Sequence, residues 1–152
     1  MSPFINRFQD VAGSEMLILY VQKQGLPLPL GEYAFFEWFC DEPPCDCRRA
    51  LLQVVSPQQP GRILATINYG WESEGFYAQW LHGDRESARE LASADLDPLN
   101  AQSKLSPALL ELFRQILLED RAYIDRLRRH YHMFKRAQGG SAPGLTSTSL
   151  PV

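Results

Sequence analysis

Between residues 14 and 70 the chain reads as short apolar runs separated by turn residues. In Ser14–Lys23, Leu17, Leu19 and Val21 alternate with Ile18, Tyr20 and Gln22, a period of two that predicts a strand. Leu26-Pro-Leu-Pro-Leu30 follows as an extended connector, because each proline lacks a ladder donor and turns its predecessor away from helix. Glu32–Cys40, Arg48–Ser56 and Arg62–Tyr69 are aromatic and β-branched segments bounded by turn residues, and each predicts a strand. The connectors Asp41–Cys47 and Pro57–Gly61 have lengths that suit antiparallel neighbours. A β-meander of three strands results, or of four with Ser14–Lys23 at its edge.

Past Tyr69-Gly70 the period changes. Phe76, Tyr77, Trp80 and Leu81 recur at helical spacing, so Glu74–Leu81 predicts a short helix, with a further turn or two at 84–92. Asp95–Ser106 is polar, carries Pro98 and reads as a loop. Ser106-Pro107 has the form of a serine N-cap followed by a first-turn proline. From there Leu109, Phe113, Ile116, Leu117, Tyr123, Ile124, Leu127, Tyr131 and Phe134 share one face, predicting a single long helix from Pro107 to about Ala137. Gly139-Gly140 ends it. Residues 139–152 are uncharged and aperiodic and are expected to be a disordered tail behind one domain spanning 1–138. The fold class is α+β, an antiparallel sheet covered by the long C-terminal helix and a short helix.

Composition narrows the functional classes. The 152 residues are 45% apolar and 22% charged, as in a folded globular protein, and no apolar run reaches the length of a membrane span. With no signal-peptide pattern, a cytoplasmic location is expected and a membrane partner is not. The net charge of −3 is unevenly spread, since residues 121–136 carry Arg121, Arg126, Arg128, Arg129, Lys135 and Arg136 against Asp125 alone. Cations complement the end of a helix dipole, and no nucleic-acid motif surrounds these, so a solvated helix outweighs a nucleic-acid surface.

The candidate chemistry lies in Phe39-Cys-Asp-Glu-Pro-Pro-Cys-Asp-Cys-Arg-Arg49, which holds all three cysteines of the chain. An odd, clustered set without a secretory signal does not read as a disulfide framework. A hairpin would bring Cys40 and Cys47 face to face, and Cys45 and Cys47, two residues apart, project to the same side of an extended backbone. Three sulfurs then converge as a tetrahedral thiolate site requires, and zinc is the expected ion. Asp41, Glu42 and Asp46 raise thiol pKa values and disfavour a reactive nucleophile, but they suit a cation, with Arg48 and Arg49 offsetting the thiolate charge. Among His82, His130 and His132, His130 faces the core edge of the last helix and is the expected fourth ligand. A buried, hydrogen-bonded histidine is the competing account.

Two further polar segments are candidate sites. Asn68, Tyr69, Trp71 and Glu72 lie at the end of the third strand, and Asn100, Ser103 and Lys104 lie just before the long helix. Strand ends and helix starts are where loops carry binding groups, although ordinary turn chemistry explains such residues equally well. Neither a nucleophile elbow, a phosphate loop nor a paired metalloprotease histidine motif occurs.

The strings Leu28-Pro-Leu-Gly-Glu-Tyr33, Phe39–Arg49, Ala65-Thr-Ile-Asn-Tyr-Gly-Trp-Glu-Ser73 and Leu99-Asn-Ala-Gln-Ser-Lys-Leu-Ser-Pro107 resemble a family of small prokaryotic proteins, as does Arg128–Lys135. The resemblance implies no activity, because none is assigned to that family. The leading expectation is a metal-stabilised domain with an interaction or regulatory role and an unidentified protein partner. A zinc enzyme with an open fourth position, or a nucleic-acid accessory protein using the basic helix, are the alternatives.

Overall fold

The six strands form one antiparallel sheet in a computed structural model that describes residues 1–139. In chain order they are β1 (Ser2–Pro3), β2 (Leu17–Val21), β3 (Gly31–Phe39), β4 (Arg49–Val55), β5 (Ala65–Gly70) and β6 (Asp95–Leu96). The helices are α1 (Gln9–Glu15), α2 (Glu74–Trp80), α3 (Arg85–Ser93), α4 (Ser106–Glu119) and α5 (Arg121–Gly139). The α+β class and the β3–β4–β5 meander agree with the sequence pattern. The tail expected at 139–152 lies, apart from Gly139, outside the described residues.

Alternation decides the two faces of the sheet. Tyr33, Phe35, Glu37 and Phe39 of β3, Ala50, Leu52 and Val54 of β4, and Ala65, Ile67 and Tyr69 of β5 are all buried on the inner face. Helices α4 and α5 cover that face with aromatic side chains. Phe113 packs against Phe35, Tyr69 and Tyr123, while Tyr131 meets Phe39 and Trp71. At the β5 end of the outer face, α2 and α3 form a second apolar cluster around Tyr77, Ala88 and Leu91.

Four local expectations are corrected. The strand expected over Ser14–Lys23 spans Leu17–Val21 as β2, and it runs end to end with β1 along one edge of β3, β1 pairing with Phe39 to Trp38 and β2 with Phe35 to Gly31. Between them a 3-10 turn at Phe4–Asn6 and α1 fold back over the inner face, so Ser14 and Glu15 are helical and not part of the strand. The segment 95–106 contains β6, paired with Ile67 and Asn68. The single helix over 107–137 is two helices. Asp120 leaves helical geometry at φ −118° and ψ 84°, and its Oδ1 accepts the Tyr123 N–H at 3.0 Å, capping α5. Ser106 is not an N-cap; it lies inside α4 and its hydroxyl donates to the Ser103 carbonyl at 2.8 Å.

Two contacts close the β5 end. The Gln102 carboxamide treats Thr66 as a neighbouring strand would, accepting its N–H at 3.1 Å and donating to its carbonyl at 2.8 Å. At the other end of β5, Gly70 lets the Tyr77 ring lie on the backbone, and a Cβ there would stand 2.3 Å from the ring. Tyr77 cannot swing away, because its hydroxyl donates to the Arg48 carbonyl at 2.6 Å and accepts the Glu72 N–H at 3.3 Å.

Gly70→Ala is therefore expected to cost about 1–3 kcal/mol through overpacking. Thermal unfolding should show a fall of roughly 5 °C or more. Gly13→Ala in α1 meets nothing within 4 Å and should instead raise stability by up to ~1 kcal/mol. Equal effects of the two substitutions would contradict the assigned packing of Tyr77.

Candidate metal centre

The β3–β4 hairpin sets the cysteines. β3 ends at Phe39, Phe39 pairs with Ala50, and the chain between them turns over Pro43-Pro44, where the Cys45 N–H bonds to the Glu42 carbonyl at 3.1 Å. Cys40, Cys45 and Cys47 are free thiols whose sulfurs all lie within 4.8 Å of one another. Cys47 is buried at 1% exposure, and the other two are half-buried. Sulfurs this close can share one ion at zinc–sulfur distances of ~2.3 Å with small side-chain adjustments.

The loop is fastened from three directions. Arg48 adopts φ 45°, and its two peptide groups are clamped by tyrosine hydroxyls: the N–H donates to Tyr131 at 3.4 Å and the carbonyl accepts from Tyr77. From α5, Lys135 donates to the Glu42 carbonyl at 2.6 Å and Gln138 to the Cys40 carbonyl at 3.3 Å. The chain's amino terminus and Ser2 Oγ both reach the Asp41 carboxylate, at 2.9 Å and 2.5 Å.

The electrostatics differ in detail from the sequence expectation. Asp46 is bound by Arg48, which also pairs with Glu72 at 3.4 Å and stacks over Phe76. Arg48 is thus committed elsewhere, while Arg49 supplies the positive field at Cys47. Burial pushes the Cys47 thiol up to about 12, and Cys45 is also raised, first by burial and then by Cys40. Neither is a ready nucleophile at neutral pH, and a metal would have to displace their protons.

His130 is not gathered with the sulfurs. Among the described residues the potential metal ligands that cluster are the three cysteines alone. Both imidazole nitrogens are occupied: Nδ1 lies 2.7 Å from Glu37 Oε2 and Nε2 lies 2.9 Å from Glu15 Oε2, with the ring stacked on Phe4. Arg129 also pairs with Glu15. His130 lies on the buried face of α5, where the carboxylate on the inner face of β3 claims it. A signal existed in the sequence, since alternation places Glu37 inward between Phe35 and Phe39.

The remaining candidates separate. Tyr69 and Trp71 are buried core residues, and the Trp71 carbonyl accepts from Arg128 at 2.9 Å. Glu72 pairs with Arg48, and Asn68 accepts from Arg49 Nη1 at 3.0 Å. Asn100 donates to Asp97 at 2.8 Å and Ser103 to the Leu64 carbonyl at 2.7 Å, both holding the loop before α4. Lys104 is exposed beside a surface hollow with Arg62 and Pro29. Sequence reasoning missed Tyr77 and Gln102, whose roles depend on pairings remote in the chain. Comparison with protein-family models, curated proteins and solved structures finds no match. No helix among the described residues is long and apolar enough to cross a membrane.

Two measurements follow from these groups. His130→Ala strands Glu37 in the core and should cost about 3–5 kcal/mol; a loss under ~1 kcal/mol in chemical unfolding would contradict the buried pairing. Ser2 and the amino terminus hold the Asp41 carboxyl down at about 2, from an ordinary 3.8. Its contribution is complete above 3.8 and is lost as pH falls toward 2, because the unfolded chain takes up the proton first. The stability difference between wild type and Asp41→Asn should shrink across that window and stay flat above it.

Proposed function

We propose that Cys40, Cys45 and Cys47 hold one zinc ion as thiolates, and that this ion stabilises a domain with an interaction or regulatory role. The observation that carries the reading is the convergence of three sulfurs within 4.8 Å at the mouth of one hairpin. Three soft donors at that spacing favour zinc over the hard oxygen-seeking cations. The ion would tie the hairpin loop that α5 grips through Lys135 and Gln138, so metal binding and docking of the last helix are coupled. The fourth position falls to a donor outside the cluster. This also favours a second reading, a zinc enzyme whose water occupies that position.

The basic cluster supports a structural use of its helix more than a nucleic-acid one. Arg128 and Lys135 bind backbone carbonyls, Arg129 pairs with Glu15, and Arg126 stacks on Tyr123.

Protein purified without a histidine tag should carry about one zinc per chain. Cys45→Ser should lose it and unfold at a temperature lower by roughly 10 °C, whereas His130→Ala should be destabilised yet keep its metal. A cobalt-substituted sample should show thiolate charge-transfer absorption and a fourth ligand that exchanges with added imidazole. Metal-free wild type, or zinc retained in Cys45→Ser, would overturn the assignment. Hydrolytic turnover lost with the metal would favour the enzyme reading.

A further inference from the structure

On the outer face of the sheet, away from the thiols, β4, β5 and β6 floor a second concave site. It is a cavity of about 290 Å³ whose walls come from α2 and α3. Asn68 and Asp95 pair across the β5–β6 ladder at its floor, and Arg49, which pairs with Gly70 at the end of β4, reaches Asn68 through its side chain. The Arg49 guanidinium is drawn over Asn68 by the bond from Nη1 and lies 5.9 Å from the centre of the Trp80 ring. That placement fixes a planar cation before any ligand arrives.

The opposite side of the cavity is acidic. Asp95 uses Oδ1 to accept the Leu96 N–H at 2.7 Å, and Glu90 of α3 stands above it on the cavity wall. Among the described residues neither Asp95, Glu90 nor Arg49 takes part in an ion pair. Opposite charges thus face one cavity without meeting. Asn68, to which the Arg49 guanidinium bonds, is the direct partner of Asp95 on the neighbouring strand. A small zwitterion that carries its ammonium and carboxylate on one carbon offers a partner to each side of the cavity. Trp80, Leu81, Leu91, Leu96 and Pro98 make the rest of the lining apolar apart from Ser87.

We propose that this cavity binds a free apolar α-amino acid. The carboxylate lies on the N–H groups of Arg49 and Asn68, as a charge-assisted contact. The ammonium lies between Asp95 and Glu90, and the side chain packs against Trp80 and Leu91. The volume suits one residue of leucine or phenylalanine size and is at the small end of ligand pockets, which excludes a longer peptide. The site needs no metal, although Arg49 also supplies positive charge near Cys47.

Calorimetric titration of the full-length protein tests the assignment. L-leucine or L-phenylalanine should bind saturably at one site per chain. Removing either charge, in 4-methylpentanoate or in 3-methylbutylamine, should weaken binding by about tenfold or more, and so should extension to dileucine. These ligand series use the wild-type protein, so no variant has to fold. Arg49→Gln should abolish binding, and Asp95→Asn should weaken it, with unfolding midpoints confirming that each variant is folded. No saturable heat up to about 10 mM of either amino acid would overturn the proposal. So would equal binding of 4-methylpentanoate, or tighter binding of dileucine, which would indicate a peptide terminus instead.

Discussion

A carboxylate on the inward face of the longest strand sets the assembly of this fold. Glu37 takes its place in β3 between Phe35 and Phe39, where alternation allows only an inward direction. An unpaired charge there would be very costly. His130 answers it from the last helix, and the other side of the same ring reaches Glu15 at the end of α1. One imidazole thereby fixes the rotation of α5, the position of α1 and the inner face of the sheet together. The stacking of Phe4 on that ring adds the 3-10 turn to the same joint.

The cysteine loop depends on this arrangement. With α5 held at its middle by His130, its last turns lie along the β3–β4 hairpin, where Lys135 and Gln138 reach loop carbonyls and Tyr131 reaches Arg48. The loop's three sulfurs are local to the hairpin, yet the loop conformation that gathers them is braced by a helix some ninety positions further along. The site is a short-range motif with long-range support.

How much of this was legible follows from the range of each signal. The three long strands show in the sequence because one buried face leaves a period of two, and the thiol cluster shows because its ligands lie within one turn. β1 is two residues long and carries no pattern of its own; it exists because the edge of β3 is open beside it. The break at Asp120 is hidden by apolar positions that continue in phase on both sides, although Glu119-Asp120 is the one polar step in that face. His130 faces inward as its helical position implies, but its partner is not legible, since spacing cannot tell a thiol cluster from a carboxylate in the sheet. Tyr77 and Gln102 act on segments that only the folded chain brings near.

Gln102 gives the sheet a direction of growth. By serving both backbone groups of Thr66 it acts as a one-residue strand, and with β6 beside Ile67 and Asn68 it covers the hydrogen-bonding edge of β5. A side chain that occupies a peptide's place cannot be paired onward, so this border rejects an incoming strand. The opposite border, β2, has five residues with Ile18 and Tyr20 outermost, and its far edge is a peptide ladder. Misassembly between partly unfolded copies would therefore be polar, proceeding from the β2 border and ending wherever it met a Gln102 border.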